Sequence, residues 1–277
     1  YLEANPEGMG ATAHGVDCGA AQDAATCAEI INALHTHRFL VFPQQTLSSR
    51  AQREFTETLG PLEGHINKEF QGDAVPEVHV LSNLDNAGNP KGPERPSGTE
   101  SWHTDKSYTV TPSFATLLHA LEVPEHGGET LFADMVAALE GLPEAQRARI
   151  ADVRAVHSWE QSRLQSGARP ASAQEIAAAP PVTHPLIRTH PATGKRALYI
   201  GNHASHIESM DIDEGRALLA ELLAFSTQPQ FITAHRWRRG DLVIWDNPSL
   251  LHRGATFDRA REKRVLHRTV IRGGPTA

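Results

Sequence analysis

Cysteine is nearly absent. The chain of 277 residues holds two, Cys18 and Cys27, so neither a disulfide framework nor a four-cysteine zinc site can be built, and both read as ordinary thiols. Basic residues are also in deficit, with 26 Lys and Arg against 33 Asp and Glu and a formal net charge of −7. A nucleic-acid surface normally needs excess positive charge on one face, so nucleic acid is not an expected partner. No run of about 18 apolar residues is present to span a bilayer. No basic segment followed by an apolar one reads as a secretion signal. The expectation is a cytoplasmic protein with no membrane partner.

What is there can build a large core: 39% of residues are hydrophobic and 21% charged. DAATCAEIINALHTH has apolar residues at helical spacing behind a capping Asp23, and RFLVF (Arg38 to Phe42) follows as a buried strand. SSRAQREFTETLG reads as a second helix, opened by Ser48 and closed by Gly60 at a C′ position. Apolar strands follow at VHVLSN, FATLLHAL, DLVIWDN and KRVLHRTVIRG, and DEGRALLAELLAF is a helix. From Asp85 to Thr99 the chain is nearly all turn formers and charge, with three prolines. Gln165 to Pro181 is rich in Ala, Ser and Pro. Both read as loops, and lids near 66–100 and 163–182 suit a single domain over 1–277 with its site beneath them. Many short strands with Gly and Pro turns predict a mainly β architecture, a sandwich or jelly roll with flanking helices.

SWHTDKSY (Ser101 to Tyr108) raises the chemical question. On a strand, His103 and Asp105 share a face. A hydrogen-bonded core pair is one explanation, and a divalent metal held by imidazole and carboxylate is another. RGDLVIWDNPSLLHRG favours the metal, because His252 follows an apolar strand and a return strand could bring it beside His103. Two His and one carboxylate leave positions open on the metal, as in non-haem Fe(II) oxygenases. A zinc hydrolase using the same three residues, or a metal-binding sensor without turnover, are the alternatives. A chelating co-substrate with a distal carboxylate would need a cation, and Lys263, Arg264 and Arg268 are on offer. The two arginines are four apart and share a face on an unbroken strand.

Together WHTD, GGETLFAD, WDNPSLLHRG and KRVLHRT resemble the taurine dioxygenase and 2,4-dichlorophenoxyacetate dioxygenase (TauD/TfdA) family, in order from Gly15-Val16-Asp17 to Arg272. GPLEG (Gly60 to Gly64) and GNHASHIESM are closer to the chlorophenoxyacetate branch. The resemblance implies a double-stranded β-helix, or cupin-like jelly roll, with Fe(II) on His103, Asp105 and His252. It implies that Thr130 and Arg264 bind the far carboxylate of 2-oxoglutarate. It also implies that Arg268 meets an anionic group of the substrate or helps hold the co-substrate, and that His65, Lys68, Lys91 and His203 meet a small anionic organic substrate, an aryloxyacetate, another carboxylate or a sulfonate. Oxygen (O2) and 2-oxoglutarate would be consumed as a C–H bond is hydroxylated, giving succinate and CO2, in a homo-oligomer (dimer or tetramer). An aspartate at position 105 favours hydroxylation over halogenation, since halogenating relatives carry a small residue there. Trp102 and Trp245 are expected to pack the ligand side chains, and His119, His184, His190 and His235 to be structural.

Overall fold

The computed structural model describes residues 1–6, 8–64, 75–92 and 98–276. Its strands are β1 (Leu2–Ala4), β2 (Ala11–Ala13), β3 (Phe39–Phe42), β4 (His79–Ser82), β5 (Ser113–Glu122), β6 (Thr130–Asp134), β7 (Arg154–His157), β8 (Val182–Pro185), β9 (Ile187–Thr189), β10 (Arg196–Leu198), β11 (Ala204–Ile207), β12 (Ile232–His235), β13 (Leu242–Asp246), β14 (Leu250–Gly254) and β15 (Val265–Arg272). Its helices are α1 (Ala24–His37), α2 (Ser49–Leu59), α3 (Met135–Gly141), α4 (Glu144–Ile150), α5 (Trp159–Gln165), α6 (Ala173–Ala178) and α7 (Ile212–Ser226). A large sheet runs β1-β2-β3-β13-β5-β15-β4, and a smaller one runs β12-β6-β14. The architecture is the expected one, mainly β with flanking helices in a jelly roll of the double-stranded β-helix type, its sheets not closed into a barrel.

Alternation along the central strands builds two cores. On β13, Leu242 and Ile244 join Ala115 and Leu117 of β5 in a layer with Ile30 and Leu34 of α1 and Phe55 of α2. Val243 and Trp245 point the other way, against Phe132 of β6 and Leu250 of β14. Strands buried on both faces read as continuous apolar runs, and FATLLHAL and LVIWD do so for that reason. A third cluster packs α3 and α7 onto β10 and β11. Among the described residues no helix is long and apolar enough to cross a membrane.

Four local expectations are corrected. SWHTDKSY is not a strand: His103 makes a single antiparallel bridge to His252, and the chain turns at Asp105 and Lys106, the latter at φ 54. Gly60 closes α2 in extended rather than left-handed backbone, φ 164. A Cβ there would sit 2.5 Å from Ile271 Cγ2, so the glycine permits close approach to β15. The segment after Gln165 is not all loop, since α6 is opened by a reciprocal capping box between Ser172 and Glu175. Finally, the pairing of β15 with β5 shifts register between Val265 and Leu266, so the strand is not unbroken and the spacing of Arg264 and Arg268 does not fix their faces.

Candidate metal centre and co-substrate pocket

His103 and His252 exchange backbone hydrogen bonds, N to O at 3.0 and 2.8 Å, so their side chains leave one face with ring centroids 4.2 Å apart. Asp105 reaches the same point from the turn. Its Oδ1 lies 3.9 Å from His103 Nε2 and its Oδ2 3.7 Å from His252 Nε2. One donor atom from each of the three residues lies within 4.8 Å of the other two, room for one ion.

The donors are prepared for that task. Ser101 O accepts from His103 Nδ1 at 2.8 Å, which leaves Nε2 free as a ligand. Trp245 packs its ring 4.7 Å from that of His252 and donates Nε1–H to Asn247 Oδ1. Burial pushes the pKa of both imidazoles down and keeps them neutral, the form that coordinates a metal. Gly201, at φ +123, lies behind them, where a Cβ would come 3.1 Å from Trp102 O and 3.3 Å from His103 Cα. Burial alone would raise the Asp105 carboxyl. Arg268, then His252 and His103, and the Thr116 hydroxyl together hold it well below the usual carboxylate range.

The carboxylate is gripped from the large sheet. Arg268 of β15 places Nη2 2.7 Å from Asp105 Oδ1, and Thr116 of β5 donates to Oδ2 at 2.6 Å. Asn247 ties the arrangement together: its Oδ1 accepts from Asp105 N at 3.3 Å and its Nδ2 donates to Thr116 Oγ1 at 3.0 Å. Lys106 follows the turn inward, with Nζ on Gly64 O at 2.7 Å and an ion pair to Glu63 at 3.1 Å. The GPLEG turn is thereby fixed beneath the metal centre. Thr116, Lys106 and Asn247 went unassigned in the sequence. The signal for Thr116 was a polar residue in an otherwise apolar stretch of β5.

Thr130 opens β6 and accepts Trp237 Nε1–H at 3.0 Å, so its own hydroxyl proton remains free to donate. Arg264 precedes β15, anchored by its backbone N on Asn83 Oδ1 at 2.7 Å. Its stem passes Gly128, where a Cβ would meet Cδ at 3.6 Å. Its Nε is buried without a partner. Burial, then the nearby Arg259, lowers its pKa to about 10.

The remaining site residues divide. His203 stands 6.3 Å from the His103 ring and 4.8 Å from Tyr108, with its Nδ1 unpartnered and its pKa lowered to about 3 by burial and then by His103. Lys91 follows the isolated bridge between Leu84 and Pro90, with its backbone N on Asn83 O and the residue exposed. His65 and Lys68 lie outside the described residues. Of the histidines read as structural, His190 and His235 contact Asp246 and Asp241, each at 3.2 Å. His119 and His184 bond backbone carbonyls of Gln45 and Thr109.

The family model described as "Taurine catabolism dioxygenase TauD, TfdA family" matches residues 3–270. The chain is 37% identical to the alpha-ketoglutarate-dependent 2,4-dichlorophenoxyacetate dioxygenase of Cupriavidus pinatubonensis, over 88% of each chain. It is 30% identical to the alpha-ketoglutarate-dependent sulfate ester dioxygenase of Pseudomonas putida, over 96% of this chain and 87% of that one. The crystal structure of AAD-2 in complex with Mn(II) and N-oxalylglycine matches with a TM-score of 0.89 at 31% identity, covering 100% of both chains. With its three metal-ready donors, the chain belongs to the TauD/TfdA family and is an Fe(II)- and 2-oxoglutarate-dependent dioxygenase, an enzyme that consumes O2, rather than a zinc hydrolase.

Proposed function

We propose that His103, Asp105 and His252 hold the iron, that Thr130 and Arg264 bind the distal carboxylate of 2-oxoglutarate, and that the enzyme hydroxylates a C–H bond of a small organic anion. The observation that carries the substrate class is Arg268, a cation 2.7 Å from a metal-ligating carboxylate. Once a divalent ion shares the charge of Asp105, the guanidinium has donors to spare for an anion arriving at the same point. His203 and Tyr108 supply an aromatic wall beside it, and Lys91, His65 and Lys68 are assigned to the substrate side. The relatives' substrates support an anion, since 2,4-dichlorophenoxyacetate is a carboxylate and a sulfate ester carries a sulfate. When bound, the iron supplies the oxidising chemistry that couples decarboxylation of 2-oxoglutarate to C–H cleavage. The protein's own part is alignment and exclusion of water: Ser101 fixes one imidazole, Trp245 packs the other, and Thr116 sets the carboxylate.

The test is an anaerobic visible spectrum of the protein with Fe(II), with and without 2-oxoglutarate, followed by aerobic succinate assays with aryloxyacetates, alkyl sulfate esters and alkyl sulfonates. A charge-transfer band that requires both additions and disappears in His103→Ala is expected, with succinate formation accelerated by one anionic class. Binding of Fe(II) with no band on adding 2-oxoglutarate would overturn the ligand assignment. Acceleration by neutral compounds alone would overturn the anion.

Thr116→Val removes the hydroxyl that aligns Asp105 at nearly constant volume. Fe(II) affinity is expected to fall about 10–100-fold, the usual effect of losing a group that orients a ligand, with the circular dichroism spectrum unchanged. Metal titration of the purified variant checks it, and an unchanged affinity would show that Asp105 needs no alignment from β5.

A further inference from the structure

A second basic cavity, of about 320 Å³, is lined by Arg188, Arg272, His35, His190, Pro248 and Gly273, and by none of the residues assigned to iron or 2-oxoglutarate. Arg188 lies on β9 and is 2% exposed. Its Nε and Nη1 are buried with no hydrogen-bond partner, and its guanidinium carbon sits 5.1 Å from the centre of the Tyr199 ring. Among the described residues no carboxylate forms an ion pair with it. The acid behind His190 is already committed. Asp246 takes His190 Nε2 at 3.2 Å and the Ser249 hydroxyl. His190 Nδ1 accepts backbone N–H from Ala192 and Thr193, so the imidazole has no capacity left. Arg272 is exposed at the rim, and the buried His35 Nε2 has no partner.

A buried guanidinium without an acceptor loses its hydration, and an aromatic ring beside it returns only part of the loss. Proteins leave such a group where an anion completes it, and Arg matches planar or tetrahedral oxyanions because its fork binds two oxygens at once. The volume lies at the small end of ligand sites. We propose that this cavity binds a small oxyanion, a carboxylate or a phosphate, held from within by Arg188 and at the rim by Arg272. The site is separate from the metal centre yet linked to it through the chain: Pro248 lines the cavity and follows Asn247, whose side chain bonds Asp105 N and Thr116.

The experiment is equilibrium dialysis of radiolabelled inorganic phosphate, and separately of malonate, against the whole 277-residue chain loaded with Mn(II) and N-oxalylglycine so that the co-substrate pocket is filled. Ionic strength is held constant with chloride. One equivalent of at least one probe is expected to bind saturably beyond any held at Arg268, and that equivalent is lost in Arg188→Met and kept in Lys263→Ala. Arg272→Ala should weaken it about tenfold, the worth of one charge-assisted contact. If one probe displaces the other, the site is a general oxyanion site. If only one binds, its geometry names the ligand. Absence of binding by both probes, or a stoichiometry and affinity undiminished in Arg188→Met, overturns the proposal. Should Arg188→Met fail to fold, undiminished affinity in Arg272→Ala overturns it equally.

Discussion

Asp105→Ala is expected to abolish Fe(II)-dependent succinate formation and to destabilise the metal-free protein by about 3–5 kcal/mol, the range for removing one partner of a buried ion pair. The two effects have different origins. Turnover is lost because the ion loses its one anionic protein ligand, which both holds it and sets its position between the two imidazoles. Stability is lost because Arg268, with a side chain 15% exposed, keeps its charge but loses the carboxylate 2.7 Å away. Asp105→Ala/Arg268→Met separates them: it should regain most of the stability, since neither charge is then buried, and regain none of the turnover. Urea unfolding of the apoprotein and a succinate assay check both. The carboxyl's folded pKa lies below its unfolded one, so its contribution is complete above the unfolded value and fades as pH falls toward the folded value. Below about pH 4, the ordinary carboxylate range, the apoprotein's stability should therefore fall more steeply than that of Asp105→Ala. Equal slopes, or equal stability of the two proteins at neutral pH, would show that the ion pair contributes nothing to the fold.

Much of the frame was legible because it obeys local rules. Asp23 and Ser48 cap their helices through side-chain bonds to Thr26 N and Ala51 N, as the sequence pattern requires. The doubly buried strands β5 and β13 could be read from their apolar runs. The metal residues were legible as types in order, but their geometry was not. The common face of His103 and Asp105 comes from a bridge to His252 followed by a turn, and a left-handed lysine at that turn is held by Glu63 and Gly64, about forty residues earlier in the chain. Nothing local in WHTDK announces that contact. In the same way the bulge after Val265 is set by pairing with β5, and no count along KRVLHRTV reveals it. The capping box of α6 was visible in the sequence as Ser172 and Glu175, hidden by composition alone: Ala and Pro around it suggested a loop. Nothing local in VTHPLIRTH sets Arg188 apart, and only its burial makes it a question.

Arg264→Ala is expected to raise the KM for 2-oxoglutarate about 30–150-fold, the equivalent of the 2–3 kcal/mol carried by hydrogen bonds to a charged group, while leaving kcat within a few-fold. The reasoning starts from what the arginine lacks. Its Nε is buried and unpartnered, no carboxylate among the described residues pairs with it, and the charge that acts on it is another cation, Arg259, itself bonded to Glu100 at 3.2 Å. Such a group is destabilising until an anion arrives, and the free hydroxyl proton of Thr130 offers that anion a second donor. A far carboxylate bound this way contributes equally to ground state and transition state, which is why KM should move and kcat should not. Arg264→Lys keeps a charge but loses the fork, and about a tenfold rise is expected from it. Lys263→Ala, one residue earlier and exposed, should change neither constant. Steady-state kinetics at saturating O2 and Fe(II) decide the matter. A fall in kcat at unchanged KM would move Arg264 from the co-substrate pocket into the chemistry of the metal centre, and no effect at all would leave its uncompensated charge without a purpose.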